Sequence, residues 1–237
     1  MTKVEKLQEM IDASENIVFF GGAGVSTDSG IKDFRSPDGL YNMQWKYPPE
    51  LMLSARMFYK ETADFYSFYK ANLNSLTIEP NVTHYYLSKL EERGKLRAIV
   101  TQNIDGLHKK AGSKTVYEIH GTIYENHCLD CGKFYDASFI FESENVPTCD
   151  CGGIVKPDVV LYGEMLMDNY ELAQLAISQA DMLIVAGTSL TVMPAADLVR
   201  LFHGKYLVIL NRESTSYDNK ANLVIHDNLK SIFEQLR

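Results

Sequence analysis

Five short apolar runs decide what this chain can fold into: Ile17–Phe20, Leu96–Thr101, Val116–Ile119, Met182–Ala186 and Tyr206–Leu210. Each is rich in β-branched or aromatic residues and bounded by polar or glycine turn residues, the pattern of strands buried on both faces. Helical periodicity fills many of the gaps, at Val82–Arg93 before the helix-ending Gly94, and at Asn169–Gln179, Ala195–Phe202 and Leu229–Leu236. Alternation of this kind predicts a doubly wound α/β parallel sheet.

Two stretches break the alternation. Asp38–Glu79 is rich in Tyr, Phe and Met at helical spacing (Phe58, Phe65, Phe68, Tyr69), and Gly121–Pro157 holds every cysteine. Both read as insertions that pack together as a smaller domain, a helical insert plus a cysteine module. The expected limits are 1–37, 80–120 and 158–237 for the sheet domain, with 38–79 and 121–157 for the small one. The cleft between two such lobes is the usual place for a ligand.

The cysteines fall as Cys128-x2-Cys131, seventeen residues, then Cys149-x1-Cys151. Paired thiols at this separation read as one tetrahedral zinc site, with Gly152-Gly153 easing the tight second pair. Two disulfides or four structural thiols are the alternatives; the first is disfavoured without a secretory leader. Four thiolates would close the metal's coordination, so the zinc should be structural. His127 is a spare ligand candidate.

The 237 residues carry 23 basic against 31 acidic side chains, a net charge of −8 with no Lys/Arg run, which argues against nucleic-acid binding. An acidic body would suit a lysine-rich partner, although many soluble proteins are this acidic for solubility alone. The N-terminus is amphipathic, with Val4, Leu7, Met10 and Ile11 on one helical face, and lacks the apolar core of a signal peptide. No window approaches the ~18 apolar residues of a membrane span. The chain is expected to be soluble, cytoplasmic and monomeric.

After the first strand comes GGAGVSTDSGIKDFRS, residues 21–36. Gly22, Ala23 and Gly24 would let the backbone approach a pyrophosphate closely. Yet the third glycine of the dinucleotide fingerprint is replaced by Thr27, and Asp33-Phe34-Arg35 follows almost at once, which disfavours a hydride-transfer dehydrogenase. This string resembles the GAGxSxxSGIPDFR pattern of the sirtuins, NAD-dependent protein deacylases of the Sir2 family. The resemblance continues through TQNIDGLH (101–108), IHG (119–121), the paired cysteines, KPDVVLYGE (156–164) and GTSLTVMPA (187–195), and so covers almost the whole chain in the family's order.

The resemblance implies a Rossmann-like NAD-binding domain and a protein-lysine deacetylase. On it, Gly22, Ala23, Gly24, Thr27, Phe34 and Arg35 line the NAD pocket, and Gln102, Asn103, Ile104 and Asp105 stand at a strand end, with Ile104 and Asp105 on the nicotinamide carboxamide. Gly187, Thr188 and Ser189 would bind phosphate or ribose, Asn211 the adenine ribose, and Leu229 the adenine. His120 is the implied general base, with Asn103 and Asp105 beside it in the catalytic set. The implied reaction begins with attack of the acyl oxygen on the ribose carbon that bears nicotinamide. It ends in free lysine, nicotinamide and O-acetyl-ADP-ribose. The acetyl-lysine peptide would add as a strand against Val159, Val160, Tyr162, Gly163 and Glu164. His84, His108, His203 and His226 read as satisfied core or surface histidines.

Two departures stand out. Lys32 replaces the usual proline before DFR, which should loosen the loop. Tyr69 stands where members that prefer acidic acyl groups carry the arginine of a Tyr-x-x-Arg pair, so neutral acyl groups are expected, with Lys70 the one nearby cation. An NAD-consuming ADP-ribosyltransferase on the same scaffold, or a non-catalytic zinc and NAD-dependent interaction module, are the rival readings.

Overall fold

A computed structural model describes residues 1–34, 39–42, 45–166 and 169–237. Arg35 therefore lies outside the described residues. Within them the strands are β1 (Ile17–Gly21), β2 (Leu96–Thr101), β3 (Val116–Glu118), β4 (Gly121–Cys128), β5 (Phe134–Tyr135), β6 (Val155–Val159), β7 (Met182–Ala186), β8 (Tyr206–Leu210) and β9 (Leu223–Ile225). The helices are α1 (Lys3–Asp12), α2 (Pro49–Met52), α3 (Ala55–Lys60), α4 (Thr62–Leu73), α5 (Val82–Glu92), α6 (Leu107–Lys110), α7 (Ala137–Phe141), α8 (Asn169–Gln179) and α9 (Leu229–Phe233).

Six strands form one parallel sheet in the order β3-β2-β1-β7-β8-β9. Its central strand β1 is buried on both faces because its residues alternate between two cores. Ile17 and Phe19 join α1, α5 and α9 on one side, while Val18 and Phe20 join α8 and the turns at Ala195–Leu201 on the other. Phe19 and Phe20 are both fully buried, each contributing roughly 1.5–3 kcal/mol of apolar burial. Helix α1 begins at a capping box in which Thr2 and Glu5 satisfy each other's backbone amides.

A second, antiparallel sheet has the order β5-β4-β6. The helical insert and the cysteine module share one aromatic core against it. Phe58 meets Phe65 edge-on at 5.2 Å, and Tyr69 of α4 stacks on Phe141 of α7 at 5.6 Å. Tyr66 adds a hydroxyl bond to the Val155 carbonyl of β6. Within the described residues, no helix is long and apolar enough to cross a membrane.

Several elements differ from expectation. Ala195–Leu201 winds as 3-10 turns where an α-helix was expected, a short segment entered from Pro194, which has no amide hydrogen to donate. Helix α9 stops at Phe233, short of Leu236. Strands β4, β5, β6 and β9 were not expected: β4 mixes polar residues such as the buried Asn126 into a mostly buried antiparallel ladder, and β5 and β9 are only two and three residues long. Gly94 holds the expected helix-ending left-handed conformation, with φ of 72°.

Candidate active site and metal centre

The strand order reverses direction between β1 and β7, and ligands of open α/β sheets collect beyond the carboxyl ends at such a point. There the ends of β1, β2, β7 and β8 meet the small sheet around a cavity of about 670 Å³. Gly22, Ala23, Gly24, Thr27 and Phe34 line it from the β1 loop, with Lys32 at the same wall. Gln102, Asn103, Ile104 and Asp105 line it from β2, Gly187, Thr188 and Ser189 from β7, and Asn211 and Leu229 from the far end.

The glycines serve a close contact between two loops. A Cβ on Gly24 would meet Gly187 Cα at 2.7 Å, and one on Gly22 would meet the Gly187 carbonyl oxygen at 2.8 Å. The Gly24 amide in turn donates to that carbonyl at 2.9 Å. Bare backbone on both sides brings the two loops into contact at one end of the cavity. Beyond them Gln102 Nε2 donates to Thr188 Oγ1 at 3.0 Å, tying β2 to β7.

A buried hydroxyl connects the catalytic candidates. Ser26 Oγ donates to Asp105 Oδ2 at 2.6 Å and accepts from Asn103 Nδ2 at 3.0 Å. The other Asp105 oxygen accepts from the Leu107 amide at 2.9 Å. Burial raises the Asp105 carboxyl above the usual carboxylate range, and the Ser26 and Leu107 bonds oppose that rise. Ser26 is not among the site residues expected from sequence; its place inside the GAGVS string was the signal that it mattered.

His120 lies on the short link between β3 of the large sheet and β4 of the small one, and lines the cavity. Its Nδ1 lies 3.0 Å from the Gln102 carbonyl oxygen, which can only accept, so Nδ1 carries the hydrogen and Nε2 holds the free lone pair. Burial lowers its pKa below the ordinary value, against a smaller upward pull from the Gln102 bond. The imidazole is thus a neutral base at pH 7. The next residue has to be glycine: Gly121 has φ of 76°, and a Cβ there would fall 1.9 Å from the Asp158 carbonyl oxygen.

Val159, Val160, Tyr162, Gly163 and Glu164 also line the cavity, as do Val192, Met193 and Pro194, which were not expected as site residues. The Tyr162 backbone is already paired, its amide to Leu53 and its carbonyl to the Ala55 amide. The Val160 carbonyl and Gly163 amide carry no partner within the described residues, so an added strand has an edge to pair with. Glu164 shapes the turn, accepting from the Leu161 amide at 2.9 Å and from Lys156 at 3.3 Å.

The four cysteines converge, with all four sulfurs within 4.8 Å of one another. Cys128 and Cys151 are 3.5 Å apart and Cys131 and Cys149 3.6 Å, too far for disulfides, while a zinc tetrahedron with ~2.3 Å arms has edges of ~3.8 Å. The donor set fits one closed, structural zinc. His127 is not part of the converging group, whose four sulfurs complete a tetrahedral set, and its Nδ1 pairs with Asp158 at 2.8 Å. The histidines set aside as bland divide: His226 is satisfied by the Asn211 carbonyl and Asp218, but His84 Nε2 and both His108 nitrogens are buried without a partner among the described residues. Those two are not the satisfied core histidines expected. Nor do Tyr66, Tyr69 and Lys70 line the cavity, and Lys70 Nζ is spent on the Ser143 and Asn145 carbonyls at 2.7 and 2.9 Å.

Comparison with known proteins meets the same residues. The Sir2 family model matches residues 22–194. A protein of Clostridium acetobutylicum named NAD-dependent protein deacetylase is 53% identical over 99% of this chain and 98% of its own. One of Clostridium perfringens with the same name is 55% identical over 97% and 96%. Among solved structures, a Sir2 protein with deacetylated p53 peptide and 3′-O-acetyl-ADP-ribose superposes with a TM-score of 0.91 at 38% identity, covering 98% and 96% of the two chains. A Sir2 complex with p53 peptide and NAD+ gives 0.87 at 38%, covering 99% and 97%. With the glycine loop, His120 and the cysteine centre all inside or beside the matched span, the chain belongs to the Sir2 family.

Proposed function

We propose that the chain is an NAD-dependent protein-lysine deacetylase, releasing free lysine, nicotinamide and O-acetyl-ADP-ribose. The observation that carries this is His120, whose tautomer is set by the Gln102 carbonyl so that Nε2 is left unprotonated on a residue lining the same cavity as the glycine loop and Val159–Glu164. NAD, when bound, supplies the ribose carbon that accepts the acyl oxygen as nicotinamide departs.

The residues divide the remaining work. His120 Nε2 takes the proton of a ribose hydroxyl. Asn103 and Asp105, locked by Ser26, hold the nicotinamide and ribose end, with Gln102 and Ile104 beside them. Gly22, Ala23, Gly24, Thr27 and Phe34, together with Arg35, close over that end and keep water from the acceptor carbon. Gly187, Thr188 and Ser189 take phosphate and ribose oxygens, and Asn211 and Leu229 the adenosine. Val159, Val160, Tyr162, Gly163 and Glu164 receive the acetyl-lysine peptide as an added strand. Cys128, Cys131, Cys149 and Cys151 hold zinc that braces the small lobe and takes no part in the reaction.

The net charge of −8 supports a protein substrate over nucleic acid or an anionic membrane. On this reading the enzyme is a cytoplasmic monomer whose sheet domain and small domain divide near residues 38, 80, 121 and 158. Mass spectrometry of an acetyl-lysine peptide, incubated with and without NAD, tests the activity. NAD-dependent loss of acetyl with acetyl-ADP-ribose formed is the expected result. NAD consumption with ADP-ribose attached to protein would replace it with the transferase reading.

A further inference from the structure

The cofactor loop is held by a residue outside the cavity. After β1 the chain makes two 3-10 turns, Ala23–Val25 and Thr27–Ser29, closed by short bonds such as the Ser26 amide to Ala23 and the Gly30 amide to Thr27. Such turns are tight and offer little cohesion of their own. Asn81, far along the chain, spans them. Its Nδ2 donates to the Val25 carbonyl at 2.8 Å and to Ser29 Oγ at 3.0 Å. Those two acceptors bracket Ser26, which carries Asp105 and Asn103, and Thr27, which lines the cavity.

Asn81 is also the N-cap of α5: its Oδ1 accepts from the Thr83 amide at 2.9 Å, and its own amide donates to His84 Nδ1 at 3.2 Å. One amide side chain therefore uses its oxygen on the helix and its nitrogen on the loop. We propose that Asn81 is a positioning residue for NAD, fixing the loop on both sides of Ser26 and Thr27 from the start of α5. Asp28 grips the same turn from the other side, accepting from Asn228 Nδ2 at 3.1 Å and the Lys230 amide at 3.3 Å at the head of α9. The loop is suspended between two helix N-termini, that of α5 through Asn81 and that of α9 through Asp28.

The double use of the side chain gives the test. Serine and aspartate cap helices as asparagine does, but neither offers an amide donor to the loop; alanine does neither. NAD affinity is measured by calorimetry on the substrate-free chain, alongside the thermal midpoint. Asn81→Ser is expected to weaken NAD binding about tenfold, of the order expected for two lost neutral hydrogen bonds, with a midpoint close to that of the parent. Asn81→Ala is expected to show the same loss of affinity and a lower midpoint. In steady state the KM for NAD rises in Asn81→Ser while that for acetylated peptide holds.

Parental NAD affinity in Asn81→Ser overturns the proposal. So does an affinity loss that appears only in variants whose midpoint falls with it. If Asn81→Ser does not fold, Asn81→Asp, of the same shape and with the cap kept, takes its place under the same two criteria. The proposal rests on the reading that the loop holds NAD: a parent chain that binds no NAD would sink that reading, whereas unchanged affinity in the variant sinks the clamp alone.

Discussion

Ser26 donates its hydroxyl to the Asp105 carboxylate at 2.6 Å across 79 residues of sequence, and the same oxygen accepts from Asn103. Ser26→Ala would leave a buried carboxylate and a buried amide each short of a partner. Orphaning such groups costs about 1–3 kcal/mol, so kcat/KM for NAD should fall roughly ten- to hundredfold. Removing the hydroxyl also removes a bond that lowers the Asp105 pKa, so the carboxyl should rise further. Steady-state kinetics with NAD varied would show the first effect; an acidic limb shifted upward in the pH profile would show the second.

As the proposed general base His120 would act in its neutral form, and burial holds its pKa below the ordinary ~6.5 of imidazole. Activity should therefore climb with pH along a limb lying below ~6.5 and be flat by neutral pH. His120→Ala should lower turnover by about 10²–10⁴ and abolish that limb. A pH–rate profile in which the variant kept the parental limb would assign it to another group.

How much of this was legible beforehand depends on what each residue answers to. The central strands were, because a strand covered on both faces is nearly all apolar: β1 and β7 are buried throughout, β8 apart from Tyr206 and β2 apart from the exposed Arg97, whereas the edge strand β3 is only partly buried. Strand β4 was not: in GTIYENHC the buried Asn126 is held by its bonds to the Ile123 and Tyr135 carbonyls, and the register shifts between Gly121 and Asn126, so alternation is lost. Beyond the glycines after β1, the cavity residues were legible only through resemblance to a family; spacing alone does not bring Thr188 next to Gln102. Ser26 and Asn81 were not read as site residues because their importance lies in bonds spanning 79 and 56 residues, which local pattern cannot report.

The cysteine centre should govern the small lobe and, through it, activity. Cys128 and Cys149 are buried in the same core as Phe65, Ile123 and Val155, and Phe34 and Ile104 of the cavity wall pack on that core. One zinc per chain is the expected stoichiometry by elemental analysis. Cys149→Ser, or removal of the metal by a strong chelator, should lower the thermal midpoint and the turnover together. A metal-free chain with parental turnover would show that the lobe stands without zinc.

Acyl choice follows from where the α4 side chains go. Tyr66 and Tyr69 are buried in the aromatic core, and Lys70 reaches the carbonyls of Ser143 and Asn145. A succinyl carboxylate entering the site finds no guanidinium from this helix to pair with both its oxygens. Acetyl-lysine peptide should be turned over at least about tenfold faster than the succinyl form, the effect of roughly one lost charge-assisted bond. Comparable kcat/KM on the two peptides would refute this.

His84 and His108 face each other with ring centroids 4.7 Å apart, both buried and both neutral. Burial lowers the His84 pKa from 6.5 to about 4, and burial together with His84 lowers that of His108 well below its ordinary value. A histidine whose folded pKa is depressed binds its proton more readily in the unfolded chain. The folded state therefore loses stability as pH falls from ~6.5 towards 4, and the loss levels off below the folded pKa. For His84 alone the drop approaches about 3 kcal/mol at pH 4, since each unit is worth ~1.4 kcal/mol. Denaturant melts at a series of pH values should show this acid limb. His84→Gln, which keeps an acceptor for the Asn81 amide but cannot ionise, should make it shallower by the His84 share and leave that of His108; a limb of parental depth in that variant would place the acid lability elsewhere.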